Sequence, residues 1–372
     1  MADLPQAHLK GLTVAVTGAS GNVGTALLRR LTAPGSGVAE VRGLARRQPP
    51  DVEPYSSVTW YTADLGETSS EQALTNLVEG VDAVVHLAWA LQPGRKSEEL
   101  RRTNVDGTRR VMRSAVAAGV QHVVHMSSLG AYAPGGGARP VTEDWPVTGV
   151  PSSQYSRQKS DAERVVREVV GRRSDITLTT VRPTLVLQPE AASEIGRYFL
   201  GPLPLAAVRL VPGPVAAVLP LPLPALEVGF VHADDLADAI TRMLDRRAPG
   251  PFNVAADPAL DADGIARALG TTRIPVPAAL VRAGLAAAFR AHVVPTEPGW
   301  LDLGIQSPVL DTTRARTQLG WQPAYRGDDV LRQFVAALGR GDGAPGPLLS
   351  PTGGREHDPA GDPANVPDRR PD

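Results

Sequence analysis

The chain contains no cysteine in 372 residues. Disulfides, thiolate metal sites and cysteine nucleophiles are therefore excluded, and the absence fits a reducing, cytoplasmic setting. Aromatic residues amount to only 4%. Lysine occurs three times, at Lys10, Lys96 and Lys159, so arginine carries almost all the positive charge. A net excess of one charge sign is also missing, with a formal charge of -1. Nothing electrostatic therefore points to nucleic acid or to an anionic membrane as partner. The most apolar stretch, Phe199 to Val228, is broken by Pro202, Pro204, Pro212, Pro214, Pro220, Pro222 and Pro224 and by Arg209. Prolines at that density remove amide donors, and an irregular backbone cannot cross lipid. The stretch reads as part of a soluble fold. A basic segment followed by an apolar run and a cleavage site is absent near the start, so no signal peptide is expected. The seven histidines lie scattered, with no pair at metalloprotease spacing, and no metal is expected.

What the sequence does have is alternation. Strand-like runs at Leu12–Thr17, Ala39–Leu44, Val58–Thr62, Ala83–Leu87, His122–Met126 and Thr177–Arg182 are interleaved with helical stretches such as Val23–Leu31, Glu98–Ala118 and Asp161–Arg172. Short apolar strands separated by helices predict an α/β fold, a Rossmann-type doubly wound parallel sheet covered on both faces. Residues 1–190 form this dinucleotide-binding domain, and residues 229–256 return to it. Further elements are read at Val228–Val231 (strand), Asp234–Leu244 (helix, capped by Asp234), Phe252–Val254 (strand), Ala278–Ala291 (helix) and Asp328–Leu338 (helix). Residues 191–228 and 257–338 make a smaller C-terminal substrate-binding lobe. Residues 339–372 hold almost no large apolar side chains and are expected to be a disordered tail.

Thr17-Gly18-Ala19-Ser20-Gly21-Asn22-Val23-Gly24 joins the first strand to the first helix. Glycines there allow a tight turn, close approach of a pyrophosphate, and helix packing on strand. The helix N-terminus adds free amides and a positive dipole end. Gly18, Ser20, Gly21, Asn22, Val23 and Gly24 are accordingly candidate pyrophosphate contacts. Further on, Tyr155-Ser156-Arg157-Gln158-Lys159 opens a helix with a tyrosine and a lysine four residues apart. That spacing puts both side chains on one face, about 6 Å apart at their Cβ atoms. An ammonium beside a phenol favours the phenolate and lowers the tyrosine pKa from about 10. The pair is an acid/base for carbonyl and alcohol chemistry.

The Gly-x-x-Gly-x-x-Gly spacing together with Tyr-x-x-x-Lys resembles the extended short-chain dehydrogenase/reductase superfamily, the NAD-dependent epimerases and dehydratases, over residues 11 to about 325. The resemblance implies a nicotinamide-dependent enzyme. It assigns the catalytic hydroxyl to Ser128 in Met126–Tyr132, with Ser127 as the nearby rival, and makes Ser128, Tyr155 and Lys159 the catalytic set. It further places Asp64 and Leu65 near the adenine, and Leu87 and Ala88 at the end of a strand against the cofactor. Asn104 lies in an Asn-Val-x-Gly-Thr helix of the group. Pro183 belongs to a loop beside the nicotinamide, which Tyr155 and Lys159 also contact. Phe230–Leu236 and Leu319–Pro323 match late structural landmarks. Members that prefer NAD carry an acidic residue where Ala45 stands. Here Arg46 and Arg47 follow it and suit a 2′-phosphate. NADP is the expected cofactor, with NAD as the alternative.

Dehydratases of this kind place an Asp-Glu pair after the catalytic hydroxyl, whereas this chain has Leu129-Gly130. Epimerases typically have an asparagine where Leu185 stands. The expected reaction is reversible carbonyl/alcohol hydride transfer on a small, rather apolar molecule, resembling the hydroxysteroid dehydrogenase or dihydroflavonol reductase branches. A nucleotide-sugar epimerase and a non-catalytic dinucleotide sensor are the alternatives. Val105, Val111, Ala115 and Ala118 form an apolar stripe at helical spacing. It serves either a homodimer, as in many members, or the chain's own sheet.

Overall fold

A computed structural model describes residues 9–91, 96–135, 139–200 and 220–351. Its centre is a sheet of seven parallel strands. Six come early: β1 (Thr13–Thr17), β2 (Glu40–Ala45), β3 (Thr59–Thr62), β4 (Ala83–His86), β5 (His122–Met126) and β6 (Thr177–Pro183). After β7 (Leu185–Leu187), β8 (Leu221–Leu223), β9 (Glu227–Val228) and β10 (Phe230–His232), the seventh, β11 (Gly250–Val254), pairs with β6. The order is β11-β6-β5-β4-β1-β2-β3. The chain crosses over between β3 and β4, so the cleft outside the C-terminal ends of β1 and β4 is the topological switch point where such sheets bind ligands.

Alternation along each strand feeds two apolar layers. Val14 and Val16 face α1 (Asn22–Leu31) and a later helix at Ala233–Arg246, which contributes Leu236, Ile240 and Met243. Ala15, Val84 and Val123 face the opposite layer. That layer contains α2 (Ser70–Val78), α4 (Gly107–Ala117) and α5 (Gln154–Val169), with Leu74, Val111, Ala115 and Val166 inside. The stripe weighed for a homodimer is consumed here. Val105, Val111 and Ala115 are fully buried, the last two under the chain's own sheet, so they cannot serve a second copy. Ala118 is exposed.

A second cluster lies beyond the sheet. It joins α6 (Ala192–Phe199), β10, β12 (Leu260–Asp261) and a last helix at Gly327–Arg340 through Ala192, Phe230, Leu260, Val330 and Phe334. In chain order the later helices are α7 (Ala233–Arg246), α8 (Ala262–Ala268), α9 (Ala278–Arg290), α10 (Gly299–Gln306), α11 (Thr313–Leu319) and α12 (Gly327–Arg340). Short sheets pair β7 with β10, β9 with β12, and β8 with β13 (Arg273–Pro275). No described helix is long and apolar enough to cross a membrane.

Several sequence expectations change in detail. The single helix expected over Glu98–Ala118 splits into α3 (Ser97–Arg101), one π-helical turn (Arg102–Asp106) and α4. The strand expected at Val228–Val231 breaks in two, because Val228 pairs with Leu260 whereas Phe230 pairs with Leu185. Asp234 does not cap α7. His232 does, with its ring accepting from the Asp234 amide, while the Asp234 carboxylate pairs with Arg29 at 2.9 Å. Trp321 packs as expected, fully buried with its indole N–H on the Asp235 carbonyl. Residues 201–219 of the proline-rich stretch and 352–372 of the tail lie outside the described residues. The tail's expected start at Gly339 comes too early. Leu349 is fully buried, and Arg197 binds the carbonyls of Leu348, Ser350 and Pro351. The Arg197 and Arg47 guanidiniums and one apolar anchor hold this segment despite its polar composition.

The most constrained joint in the sheet is a buried ion pair. Arg182 on β6 makes two parallel hydrogen bonds to Glu163 on α5, both 2.8 Å, with the side chains 4% and 3% exposed. Removing one partner of such a pair leaves an uncompensated buried charge, at about 3–5 kcal/mol. Glu163→Gln should therefore lower the unfolding free energy by about 3 kcal/mol, measured by urea denaturation. Replacing both partners with methionine should recover most of the loss. A loss below about 1 kcal/mol would show the pair to be relaxed or hydrated.

Candidate active site

At the switch point the glycine turn is as tight as its spacing requires. Gly18 has φ +70°, and a Cβ on it would lie 2.7 Å from the Ala88 backbone nitrogen. A Cβ on Gly24 would meet the Gly18 carbonyl at 2.3 Å. Gly21 is less crowded, since a Cβ there would meet the Gly18 carbonyl at 3.4 Å and the Leu348 side chain at 3.8 Å. Gly21 is also the N-cap of α1 and has no side-chain cap hydrogen bond, so the orphan amides of that helix end remain for an anion. These residues fit a dinucleotide pyrophosphate.

Gly18, Gly21, Asn22, Val23 and Gly24 line one side of a cavity of about 290 Å³. Around it stand Ser128, Tyr155 and Lys159, together with Arg46, Leu87, Ala88 and Pro183. The turn after β5 presents Ser128, whose hydroxyl accepts the Gly130 amide at 3.0 Å and stands near enough to the Tyr155 phenol to favour its ionised form. Gly130 makes the approach feasible, since a Cβ there would press on the Tyr155 ring at 2.9 Å. Ser127, the rival hydroxyl, donates instead to Glu163 at 2.5 Å. The ion pair therefore takes one serine and leaves the other beside the phenol.

The electrostatics differ from the expectation drawn from spacing. The Lys159 ammonium lies over the Trp89 ring, 3.6 Å from its centroid, and donates to the Met126 carbonyl at 3.1 Å. It is 5.8 Å from the centre of the Tyr155 ring. Burial pushes the phenol up to about 12, with the Ser128 hydroxyl opposing. Burial also pulls Lys159 down to about 7, against the Glu163 carboxylate. The phenol therefore keeps its proton at neutral pH.

Other expected contacts fall away from the cavity. Asn104 is buried in the π turn, where its amide takes the Ala90 N–H at 2.7 Å and donates to the Ala90 carbonyl and to Gln158. It ties the loop after β4 to α5 and is not among the residues lining the cavity of about 290 Å³. Asp64 accepts the Gly66 amide and is exposed, Leu65 is buried, and neither lines the cavity. Ser20 is buried inside the turn. Arg46 does reach the cavity wall, whereas Arg47 turns away and donates to the Pro347 carbonyl at 2.9 Å. Among the described residues, no group of three or more His, Asp or Glu side chains could hold a metal.

Sequence reasoning missed a set of apolar and aromatic wall residues: Trp89, Phe199, Trp300, Leu303 and Leu348. Trp89 was within reach, because it directly follows the Leu87-Ala88 pair. Trp300 and Leu348 come from far downstream, and no local pattern marks them. Glu194 on α6 also lines the cavity, pushed up to about 7 by burial with Tyr198 opposing.

Comparison with known proteins gives this geometry a family. Residues 14–255 match the model of the NAD dependent epimerase/dehydratase family. An uncharacterised Mycobacterium tuberculosis protein is 28% identical over 330 residues, which is 88% of this chain and 30% of that protein. The chain thus spans about 30% of the length of that relative. The sterol demethylase protein B of Methylococcus capsulatus is 35% identical over 184 residues, 48% of this chain and 52% of its own. A Bordetella bronchiseptica enzyme crystallised with NAD superimposes with a TM-score of 0.64 at 19% identity, covering 91% of this chain and 96% of its own. A Streptomyces venezuelae dTDP-glucose 4,6-dehydratase with NAD bound also gives 0.64, at 22% identity and 87% and 96% coverage. At such identities the two structures share the fold. The matched family model runs from the first strand of the main sheet to the last, and the protein belongs to the NAD-dependent epimerase/dehydratase family.

Proposed function

We propose that the protein is a nicotinamide-dependent oxidoreductase that interconverts a carbonyl and an alcohol on a small, rather apolar substrate. The observation that carries this reading is that Ser128, Tyr155 and Lys159 stand together on the wall of the cavity whose other side is the glycine turn. The pyrophosphate would lie on the turn Gly18–Gly24, the adenosine end beside Arg46, and the nicotinamide end beside Lys159 and Pro183. When bound, the nicotinamide supplies a hydride in one direction and accepts one in the other. Ser128 donates a hydrogen bond to the substrate oxygen. The Tyr155 phenol, protonated at neutral pH with its pKa near 12, gives its proton to the developing alkoxide, a stronger base still. For the reverse reaction Lys159 must leave the Trp89 face and approach the phenol, because an adjacent ammonium favours the phenolate.

The lining argues for reduction or oxidation over elimination or sugar-nucleotide chemistry. Leu129 occupies the place where a dehydratase acid would stand, and it lines the cavity. Arg46 and Lys159 are the only cations among the described lining residues. The cofactor's own phosphates and ribose would engage both, leaving none for a second diphosphate. Arg46 also supports NADP over NAD, since β2 ends on Ala45 without a carboxylate and a guanidinium suits a 2′-phosphate.

Three outcomes test this. Tyr155→Phe should slow single-turnover hydride transfer by about 10²–10⁴-fold while dinucleotide affinity stays within about twofold. A rate within threefold of the parent would assign the proton to another group. Isothermal titration should find NADPH binding more tightly than NADH, with Arg46→Ala erasing most of the difference. Equal affinities in the parent would end the NADP preference.

The third outcome concerns pH. The unfolded Lys159 holds its proton up to about 10.5, whereas the folded one releases it above about 7. Between these values the unfolded state binds more protons, so this group makes the ligand-free protein more stable as pH rises. Lys159→Met should flatten that rise in denaturant titrations between pH 7 and 10. Identical pH slopes in parent and variant would show that the lysine stays charged in the fold.

A further inference from the structure

Five of the chain's sixteen aromatic side chains line this one cavity: Trp89, Tyr155, Tyr198, Phe199 and Trp300. In a sequence with so few aromatics, that concentration needs a reason. Trp300 lies against the Tyr155 ring with centroids 4.6 Å apart and planes inclined at 34°. Phe199 meets Trp300 edge to face at 4.8 Å, and Trp89 meets Tyr155 edge to face at 5.9 Å. The phenol is thus bracketed by two indoles, and one of them comes from α10.

That indole is held in place by the catalytic helix itself. The Glu297 carboxylate, just before α10, accepts the amide of Gln154 at the start of α5. Thr296 donates to the carbonyl of Phe199. Asp302, in the first turn of α10, pairs with Arg282 on α9 at 2.9 Å. Two elements far apart in sequence therefore bring their rings to the side chain expected to exchange a proton with the reacting oxygen. Leu91, Leu129 and Leu303 complete the lining with aliphatic surface.

We propose that this wall selects a carbonyl or alcohol borne on a flat, unsaturated ring system, and that Trp300 is the residue that sets the selection. The inference rests on Tyr155 and Ser128 facing the substrate oxygen. An aromatic ring gains an offset-stacked or edge-to-face contact beyond its simple area burial, and a saturated ring of the same carbon count gains only the area. The expected discrimination is about three- to tenfold per ring contact.

The test compares 9-fluorenone, flat and aromatic, with dicyclohexyl ketone, which has the same number of carbons and no unsaturated ring. Dissociation constants are measured by equilibrium dialysis with oxidised dinucleotide present, which cannot reduce either ketone, so binding alone is read. The parent should bind fluorenone at least fivefold more tightly. Trp300→Leu should weaken fluorenone by about three- to tenfold and leave dicyclohexyl ketone within twofold, and Trp300→Phe should restore most of the loss. A merely structural role for Trp300 would weaken both ketones alike and would overturn the proposal. Equal parent affinities for the two ketones would overturn it as well, as would tighter binding of UDP-glucose than of fluorenone. If Trp300→Leu does not fold, Phe199→Leu carries the same comparison. Equal reduction of both ketones with NADPH would keep the redox reading and sink this one. Selective fluorenone binding without any turnover would do the opposite.

Discussion

The paired hydrogen bonds between Arg182 and Glu163 hold the site in register. All the reach of that guanidinium is used: two bonds go to Glu163, and its third nitrogen serves the Tyr132 hydroxyl and the Glu143 carbonyl. Tyr132 in turn donates to Asn253 on β11, whose backbone amide binds the Glu143 carboxylate. One buried charge pair thereby ties the edge strand β11, the strand β6, the turn after β5 and the helix that carries Tyr155 and Lys159. Buried charges tolerate little displacement, because each must keep its partners to offset lost hydration. The same carboxylate takes up the Ser127 hydroxyl, so Ser128 is the serine left to face the phenol.

Burial then shapes the chemistry. Around Tyr155 and Lys159 the low-dielectric surroundings favour neutral forms, so the phenol is pushed up and the ammonium down. Both shifts have burial as their main cause. The lysine charge is eased by the π face of Trp89 and a backbone carbonyl instead of by the phenol. A cleft of this kind discriminates through which groups approach it. A ligand that brings polar partners to Lys159 changes the balance of charge beside Tyr155.

The C-terminal chain takes part in the cleft more than its composition suggests. Residues after α12 fold back so that Leu349 is buried and Leu348 joins the cavity wall, its side chain against Gly21 of the glycine turn. Arg47, which the sequence offered to a cofactor phosphate, instead holds the Pro347 carbonyl. The two adjacent arginines at the end of β2 therefore have different surroundings, one facing the cleft and the other the returning chain.

Local chemistry settled much of this protein in advance. Strand and helix periodicity, glycines at 18, 21 and 24, and a tyrosine and lysine four residues apart act over a few residues, within the range of backbone geometry and one helical turn. The parallel sheet, the phosphate turn and the shared face of α5 were legible for that reason. Only the tertiary structure decided which serine is free, since Ser127 loses its hydroxyl to Glu163, 36 residues away. It also decided that Asn104 secures a loop through Ala90 and Gln158, and that burial raises the Tyr155 phenol while Lys159 rests over Trp89. Trp300 reaches the site from 145 positions beyond Tyr155, through packing of α10 on α5, and no pattern confined to neighbouring residues encodes such a contact. Burial and long-range packing arise only when separate elements exclude water together, and a linear sequence shows the elements without their meeting.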